Sequence, residues 1–170
     1  FQLYCDFSGY SDIAIGTSKL FGFELMSNFK YPFFARNPIE FWNRWHISLS
    51  HWCRDHIFYA LMRQFGTYLP RLPNLAATAF SIFVTFFLVG AWHGDASHWL
   101  LYGFYHGFGL SVWVIYNQSM KTYAEGMYAS MTESRLYQAL SIFLTISFVA
   151  WGLIITTGLD TLGQVFSTHF

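Results

Sequence analysis

Residues Leu75 to Trp92, reading LAATAFSIFVTFFLVGAW, contain no Asp, Glu, Lys or Arg. Coiled into a helix they extend roughly 27 Å, close to the hydrocarbon thickness of a bilayer, about 30 Å. A run of this kind crosses a membrane or fills the centre of a large core. The rest of the chain decides for the membrane. Of 170 residues, 54% are hydrophobic, 22% aromatic and 11% charged, against a charged share of about 25% in soluble domains. That is more apolar surface than one core of this size can hide, and lipid must cover the remainder. The same composition excludes disorder.

Two more runs lack charge, Ala96 to Met120 and Leu136 to Leu159, and each is long enough to span. Seven of the nine basic residues precede residue 72, whereas residues 72 to 120 hold one charged side chain, Asp95. Arg63 and Arg71 come before the first run, and Lys121 and Arg135 lie between the second and third. Two crossings return the chain to the same side, so these four cations share a face, the cytosolic one by the positive-inside tendency. The nine basic and nine acidic residues balance, which leaves no electrostatic footprint for nucleic acid. Cys5 and Cys53 form no framework. The chain opens on Phe1 in mid-pattern, so the expectation is one membrane domain, residues 1 to 170, that is part of a longer catalytic domain.

Residues 1 to 23 are apolar but interrupted by Asp6, Gly9, Asp12, Gly16, Lys19 and Gly22, a pattern expected to be protein-packed or re-entrant rather than a simple lipid-facing helix. After a loop marked by proline, Asn37, Pro38 and Glu40 form a helix-start signal, with Asn37 as the N-cap. The helix is expected to run to about Met62. Trp42, Trp45, Leu49 and Trp52 recur on one stripe and Arg44, Ser48, His51 and Asp55 on another, which predicts an amphipathic helix lying at the interface. The fold class is therefore all-α: about three spans, one interfacial helix and a re-entrant N-terminal segment. Gly103 and Gly107 make a GxxxG that favours close helix packing.

His93 closes the first run within GAWHG. An ionisable group at a membrane-embedded turn is costly and usually functional, though a structural histidine bonded to a neighbouring helix shows the same spacing. Apolar surroundings favour the neutral imidazole, the form a general base needs. His46, His51 and His56 fall at five-residue intervals around Cys53, but five residues rotate a helical side chain by about 140°, which points successive rings to different faces and argues against a metal cluster. His51 reads as solvated, and His46, off the polar stripe, needs a partner. His98 and His106 in the second run read as structural. The chain has no GxSxG elbow and no phosphate-binding loop.

Asp6-Phe7-Ser8-Gly9-Tyr10-Ser11-Asp12, the block Glu40 to Ser50 (EFWNRWHISLS), Gly90 to Gly94 (GAWHG) and Tyr105-His106-Gly107 together strongly resemble the membrane-bound O-acyltransferase family, in particular its bacterial branch of alginate O-acetyltransferases and D-alanyl-lipoteichoic acid transfer proteins. The resemblance implies helices ringing a thinned membrane region, with a tunnel joining a cytosolic acyl thioester, acetyl-CoA or an acyl carrier protein, to an acceptor on the far side. It implies His93 as the catalytic histidine and His46 as the second tunnel-lining polar residue, with no bound cofactor and no metal. The implied partners are membrane lipid, the acyl donor and an extracytoplasmic glycan, teichoic acid or relay acyltransferase; the implied location is the cytoplasmic (inner) membrane, multi-pass. A transporter or channel that relays protons through intramembrane histidines is the rival reading, and a non-catalytic membrane scaffold is a second.

Overall fold

A computed structural model describes the backbone of residues 1–167 and the side chains of residues 1–156. The element order is α1 (Gln2–Leu20), a 3₁₀ turn (Pro32–Phe34), α2 (Pro38–Trp42), α3 (Ile47–Cys53), a π turn (Arg54–Phe58), α4 (Tyr59–Tyr68), α5 (Asn74–His93), α6 (Ser97–Tyr123), α7 (Glu125–Glu133) and α8 (Arg135–Ser167). Among the described residues there is no strand, only an isolated antiparallel bridge between Phe29 and Trp45.

Two helices are long and apolar enough to cross a membrane, α5 and the Arg135–Thr156 part of α8. The third expected crossing corresponds to α6, whose 27 residues extend roughly 40 Å. Its composition is too polar for the same test, and the packing gives the reason. Tyr102, Gly103, His106, Gly107, Leu110 and Ser111 form a buried stripe, whereas Leu101, Phe104, Phe108, Val112 and Ile115 form an exposed one. The polar groups of α6 thus turn toward protein and its apolar groups turn outward, the arrangement lipid selects.

Helices α5 and α6 are antiparallel and approach as closely as backbones can. A Cβ on Gly103 would lie 2.8 Å from the Phe86 carbonyl oxygen and 3.0 Å from the Gly90 Cα, and one on Gly107 would lie 2.8 Å from the Phe83 oxygen. The Ser111 hydroxyl donates to the Ala79 carbonyl across the same seam, at 2.6 Å. On the other side of α6, the Tyr105 hydroxyl donates to the Phe148 carbonyl of α8 at 3.0 Å.

The start signal at Asn37 is built as expected: the Asn37 side chain accepts from the Glu40 amide at 2.8 Å, with Pro38 next to it. Glu40 then reaches back to the Arg36 amide, at 2.7 Å, and pairs with Arg44. The interfacial helix expected from residue 38 to about 62 is not continuous. It stops at Trp42, turns through Asn43 to His46, restarts as α3 and widens into the π turn. The tryptophans therefore share no stripe. Trp42 is buried, 8% exposed, in a core with Ala35, Phe41, Tyr102, Leu110 and Val149; Trp45 stacks on Phe41; Trp52 is exposed. Helix α2 is a wedge between α5, α6 and α8 rather than a float on the surface.

The N-terminal segment, expected to be protein-packed or re-entrant, is one unbroken helix, α1. Asp6, Gly9, Asp12, Gly16 and Lys19 are all exposed, whereas Tyr4, Phe7, Ser8, Ser11, Ile15 and Ser18 are buried or half-buried. The interruptions recur every three or four residues and so fall on the helix's outer side, which they share with exposed Leu3, Tyr10, Ile13 and Leu20.

Because the Gly103 contact is backbone against backbone, neither side can yield. Gly103→Ala in the full-length protein is expected to lower stability by about 1–3 kcal/mol. Gly126→Ala on α7, where a Cβ meets nothing within 4 Å, should leave the detergent melting temperature unchanged. Equal melting temperatures for the two variants would show that the seam is looser than described.

Candidate active site

His46 sits in the left-handed backbone region, φ 45° and ψ 54°, between α2 and α3. A non-glycine residue holds such a conformation only where its surroundings over-determine it. Here the neighbouring loop does so. The Lys30 amide donates to the Arg44 carbonyl at 2.9 Å and the Ile47 amide to the Asn28 carbonyl at 3.1 Å. The Asn28 side-chain oxygen accepts from both the Ser48 amide, 3.1 Å, and the Ser48 hydroxyl, 2.7 Å. Asn28, twenty residues upstream, thereby supplies the cap of α3 that His46 does not provide.

The kink aims the imidazole of His46 at α1, where its ring meets Phe7 edge-on at 4.7 Å. Its Nδ1 is buried without a hydrogen-bond partner. Burial holds the ring below its ordinary proton affinity, and the nearby His93 charge lowers it further. His46 is thus a neutral imidazole with an unused nitrogen.

His93 ends α5, and the Gly90 to Gly103 contact sets what surrounds it. A Cβ on Gly90 would strike the Trp99 carbonyl and lie 2.7 Å from the Gly103 Cα. With no Cβ there, α6 closes in and Trp99 stacks on the His93 ring, centroids 4.7 Å apart and planes 14° apart; Tyr102 meets the ring edge-on at 6.1 Å. His93 is exposed within the described chain. Tyr102, 7% exposed, links the two parts of the site: with Trp45 and Phe41 it lines a cavity of 60 Å³. On the opposite face of Trp42 an apolar cavity of 190 Å³ is lined by Cys53, Phe58, Ile82 and Phe86 among others. Burial pushes the Cys53 thiol up, which disfavours a nucleophilic thiolate.

The remaining histidines separate from this pair. His106 is fully buried in an aromatic cage of Trp42, Tyr102, Tyr105 and Phe148, with both ring nitrogens unpaired. His98 is buried against Trp99. His56 is exposed, stacks on Trp52 at 4.9 Å and bonds the Trp52 carbonyl through Nδ1 at 3.0 Å. Asp95 is exposed. No three His, Cys, Asp or Glu side chains among the described residues converge as metal ligands. Sequence reasoning missed Asn28, which carries no local signal, and Trp99, whose place one turn beyond the Gly94 break could have been noticed.

With two histidines from separate blocks brought to one aromatic-walled region, the comparisons with known proteins are decisive about kinship. The profile of the membrane-bound O-acyltransferase family matches residues 1–155. The chain belongs to the membrane-bound O-acyltransferase family. It is 34% identical, over 99% of its length, to the probable alginate O-acetylase AlgI of Pseudomonas syringae pv. tomato, of which it covers 29%. It is 33% identical, over 92% of its length, to the teichoic acid D-alanyltransferase of Bacillus subtilis, of which it covers 38%. It is 35% identical, over 72% of its length, to the peptidoglycan O-acetyltransferase of Helicobacter pylori, of which it covers 22%. The chain therefore spans well under half the length of these relatives.

Two outcomes follow for His46. A histidine whose folded-state proton affinity is depressed binds fewer protons folded than unfolded, so stability rises with pH and is lost as pH falls below about 6.5. His46→Gln should flatten part of the fall in melting temperature between about pH 7.5 and about pH 5.5; a slope identical to that of the unsubstituted protein would refute the assignment. Asn28→Ala removes the cap of α3 and should cost about 1 kcal/mol, read as a lower melting temperature at neutral pH.

Proposed function

We propose that this chain is the histidine-bearing part of a multi-pass enzyme of the cytoplasmic membrane that moves a small acyl group, acetyl or D-alanyl, from a cytosolic thioester to a hydroxyl of an envelope polymer or a relay protein. The observation that carries the reading is that His46 and His93 lie near enough to interact electrostatically, His46 following Trp45 in the chain and His93 beside Tyr102, the two aromatics that line one small cavity. The names of the relatives support it from a second direction, since each denotes acyl transfer to an envelope component or its precursor. Acetyl-CoA and an acyl carrier protein are the donors considered, and an extracytoplasmic glycan or teichoic acid the acceptor.

The chemistry needs little more than these two rings. The neutral imidazole of His93 takes the proton of the acceptor hydroxyl as its oxygen attacks the thioester carbonyl carbon. The tetrahedral intermediate bears an oxyanion, which an N–H of His46 stabilises. The intermediate collapses, the carbon–sulfur bond breaks, and the thiolate takes the proton from His93. The new ester leaves on the acceptor and both rings return to their starting state. The aromatic surround favours this scheme because hydrogen bonds to a developing charge strengthen where water is scarce. Stacking on Trp99 holds the His93 ring in one orientation without occupying its nitrogens. A transporter reading finds less support: neither ring nitrogen of the buried His106 makes a hydrogen bond that would continue a relay.

The test is acyl transfer from radiolabelled donor by the full-length protein in membranes. His93→Ala should reduce transfer by about 10²–10⁴-fold and His46→Ala by about 10²–10³-fold, with protein levels and melting temperatures maintained. Unchanged transfer in His93→Ala, accompanied by an altered solute flux, would replace the enzyme with the transporter.

A further inference from the structure

A hollow with many polar side chains in its wall lies away from the histidine pair, near the far end of α6. It has a volume of 470 Å³ and is walled by the start of α2, the end of α6, α7 and the start of α8. His93 adjoins the opposite end of α6, so roughly 35 Å of helix separates the two places.

The lining chemistry is one-sided. Arg36 and Lys121 both face the hollow, and no Asp or Glu lines it. Neither cation has an ion-pair partner among the described residues, where the salt bridges formed are Arg44 with Glu40 and Arg54 with Asp55. Glu40, the nearest carboxylate in sequence to Arg36, is already committed to Arg44 and to the Arg36 backbone amide. Neutral donors fill the gaps between the cations. The Tyr128 hydroxyl donates to the Asn117 side-chain oxygen at 2.7 Å, which leaves the Asn117 amide hydrogens directed elsewhere. Tyr137 and Ser141 present hydroxyls from the first turns of α8. Trp113, Val114 and Ile39 supply an apolar floor.

Two unpaired cations, a set of neutral donors, no opposing carboxylate and an apolar floor define a preference for an anion with several acceptor oxygens joined to an apolar or extended tail. A carboxylate would use one cation, whereas a phosphate ester uses both, bidentate on the guanidinium and as a point charge on the ammonium. The hollow also lies where Arg71, Lys121 and Arg135 gather at the ends of α5, α6 and α8, the end assigned to the cytosolic leaflet, which is rich in anionic lipid.

We propose that the hollow between α2, α6, α7 and α8, with Arg36 and Lys121 as its cations, is a binding site for a phosphate ester at the membrane surface. The headgroup of an anionic phospholipid is the source the surroundings favour, and a soluble phosphate ester is the other. The site does not depend on the acyl-transfer reading: His93→Ala should bind the phosphate ester as well as the unsubstituted protein does.

The experiment is native mass spectrometry of the full-length protein in detergent, titrated with short-chain phosphatidylglycerol, phosphatidylcholine with the same chains, inorganic phosphate and coenzyme A. Phosphatidylglycerol should bind at least tenfold more tightly than phosphatidylcholine, and binding should weaken with salt. Arg36→Gln and Lys121→Gln should each weaken it about fivefold, the ratio expected for one basic side chain at a membrane surface. Arg63→Gln, outside the hollow, should leave it unchanged, and Lys121→Arg should retain it, which guards against misreading a misfolded variant. Tighter binding of coenzyme A with the same dependence on Arg36 and Lys121 would support the phosphate site and assign its source to a soluble ester. Equal binding of the two lipids without tighter binding of coenzyme A, or indifference of every ligand to both substitutions, would overturn the proposal.

Discussion

The architecture depends on the contact between α5 and α6, where Gly90, Gly103 and Gly107 let two backbones touch. In a bilayer no hydrophobic drive pulls helices together, because lipid tails are as apolar as the side chains, so association rests on close packing and on hydrogen bonds between helices. The seam supplies both, through the glycines and through Ser111 on the Ala79 carbonyl. Its second effect is on chemistry. Once α6 lies this close, Trp99 and Tyr102 have no alternative but to crowd the end of α5, and the orientation of the His93 ring follows from the stacking.

Helix α2 is the second determinant. A five-residue helix has little stability of its own, and this one persists because Phe41 and Trp42 are buried among α5, α6 and α8. The wedge brings the block that contains His46 inward. The left-handed kink at His46 then reverses the direction of the chain, so the imidazole meets α1 instead of following the side chains of α2 toward α6. The backbone conformation of one residue therefore decides which side of the wedge the second histidine serves.

This explains what could and could not be read from the sequence. The long helices were legible because absence of charge is a local property: the runs beginning at Leu75, Ala96 and Leu136 correspond to α5, α6 and α8, whose described starts are Asn74, Ser97 and Arg135. The cap at Asn37 was legible for the same reason. The break at His46 was not, because it is imposed by Asn28 and Lys30, which act from a distance along the chain; helical periodicity ran through the break and produced a false tryptophan stripe. The continuity of α1 was missed because its polar residues were counted as interruptions before their spacing was tested. The pairing of His46 with His93 was implied by resemblance and not by spacing, since no periodicity relates residues on α5 to a loop between α2 and α3.

His106, by contrast with His93, is closed off from approach. His106 is 0% exposed, and Gly152 of α8 sits so near its ring that a Cβ there would strike Nε2. Trp42, Tyr102 and Phe148 present their rings at steep angles on its other sides. A hydroxyl approaching Nε2 or Nδ1 would have to displace these rings, and the burial of two unpaired nitrogens already costs free energy that packing must offset. At His93 the surroundings are more open, with Tyr102 the one aromatic shared among those named. Stacking on Trp99 covers one face of the ring, and the residue as a whole is exposed within the described chain. Tyr102 contacts both rings and therefore marks the boundary between a sealed imidazole, His106, and an exposed one, His93.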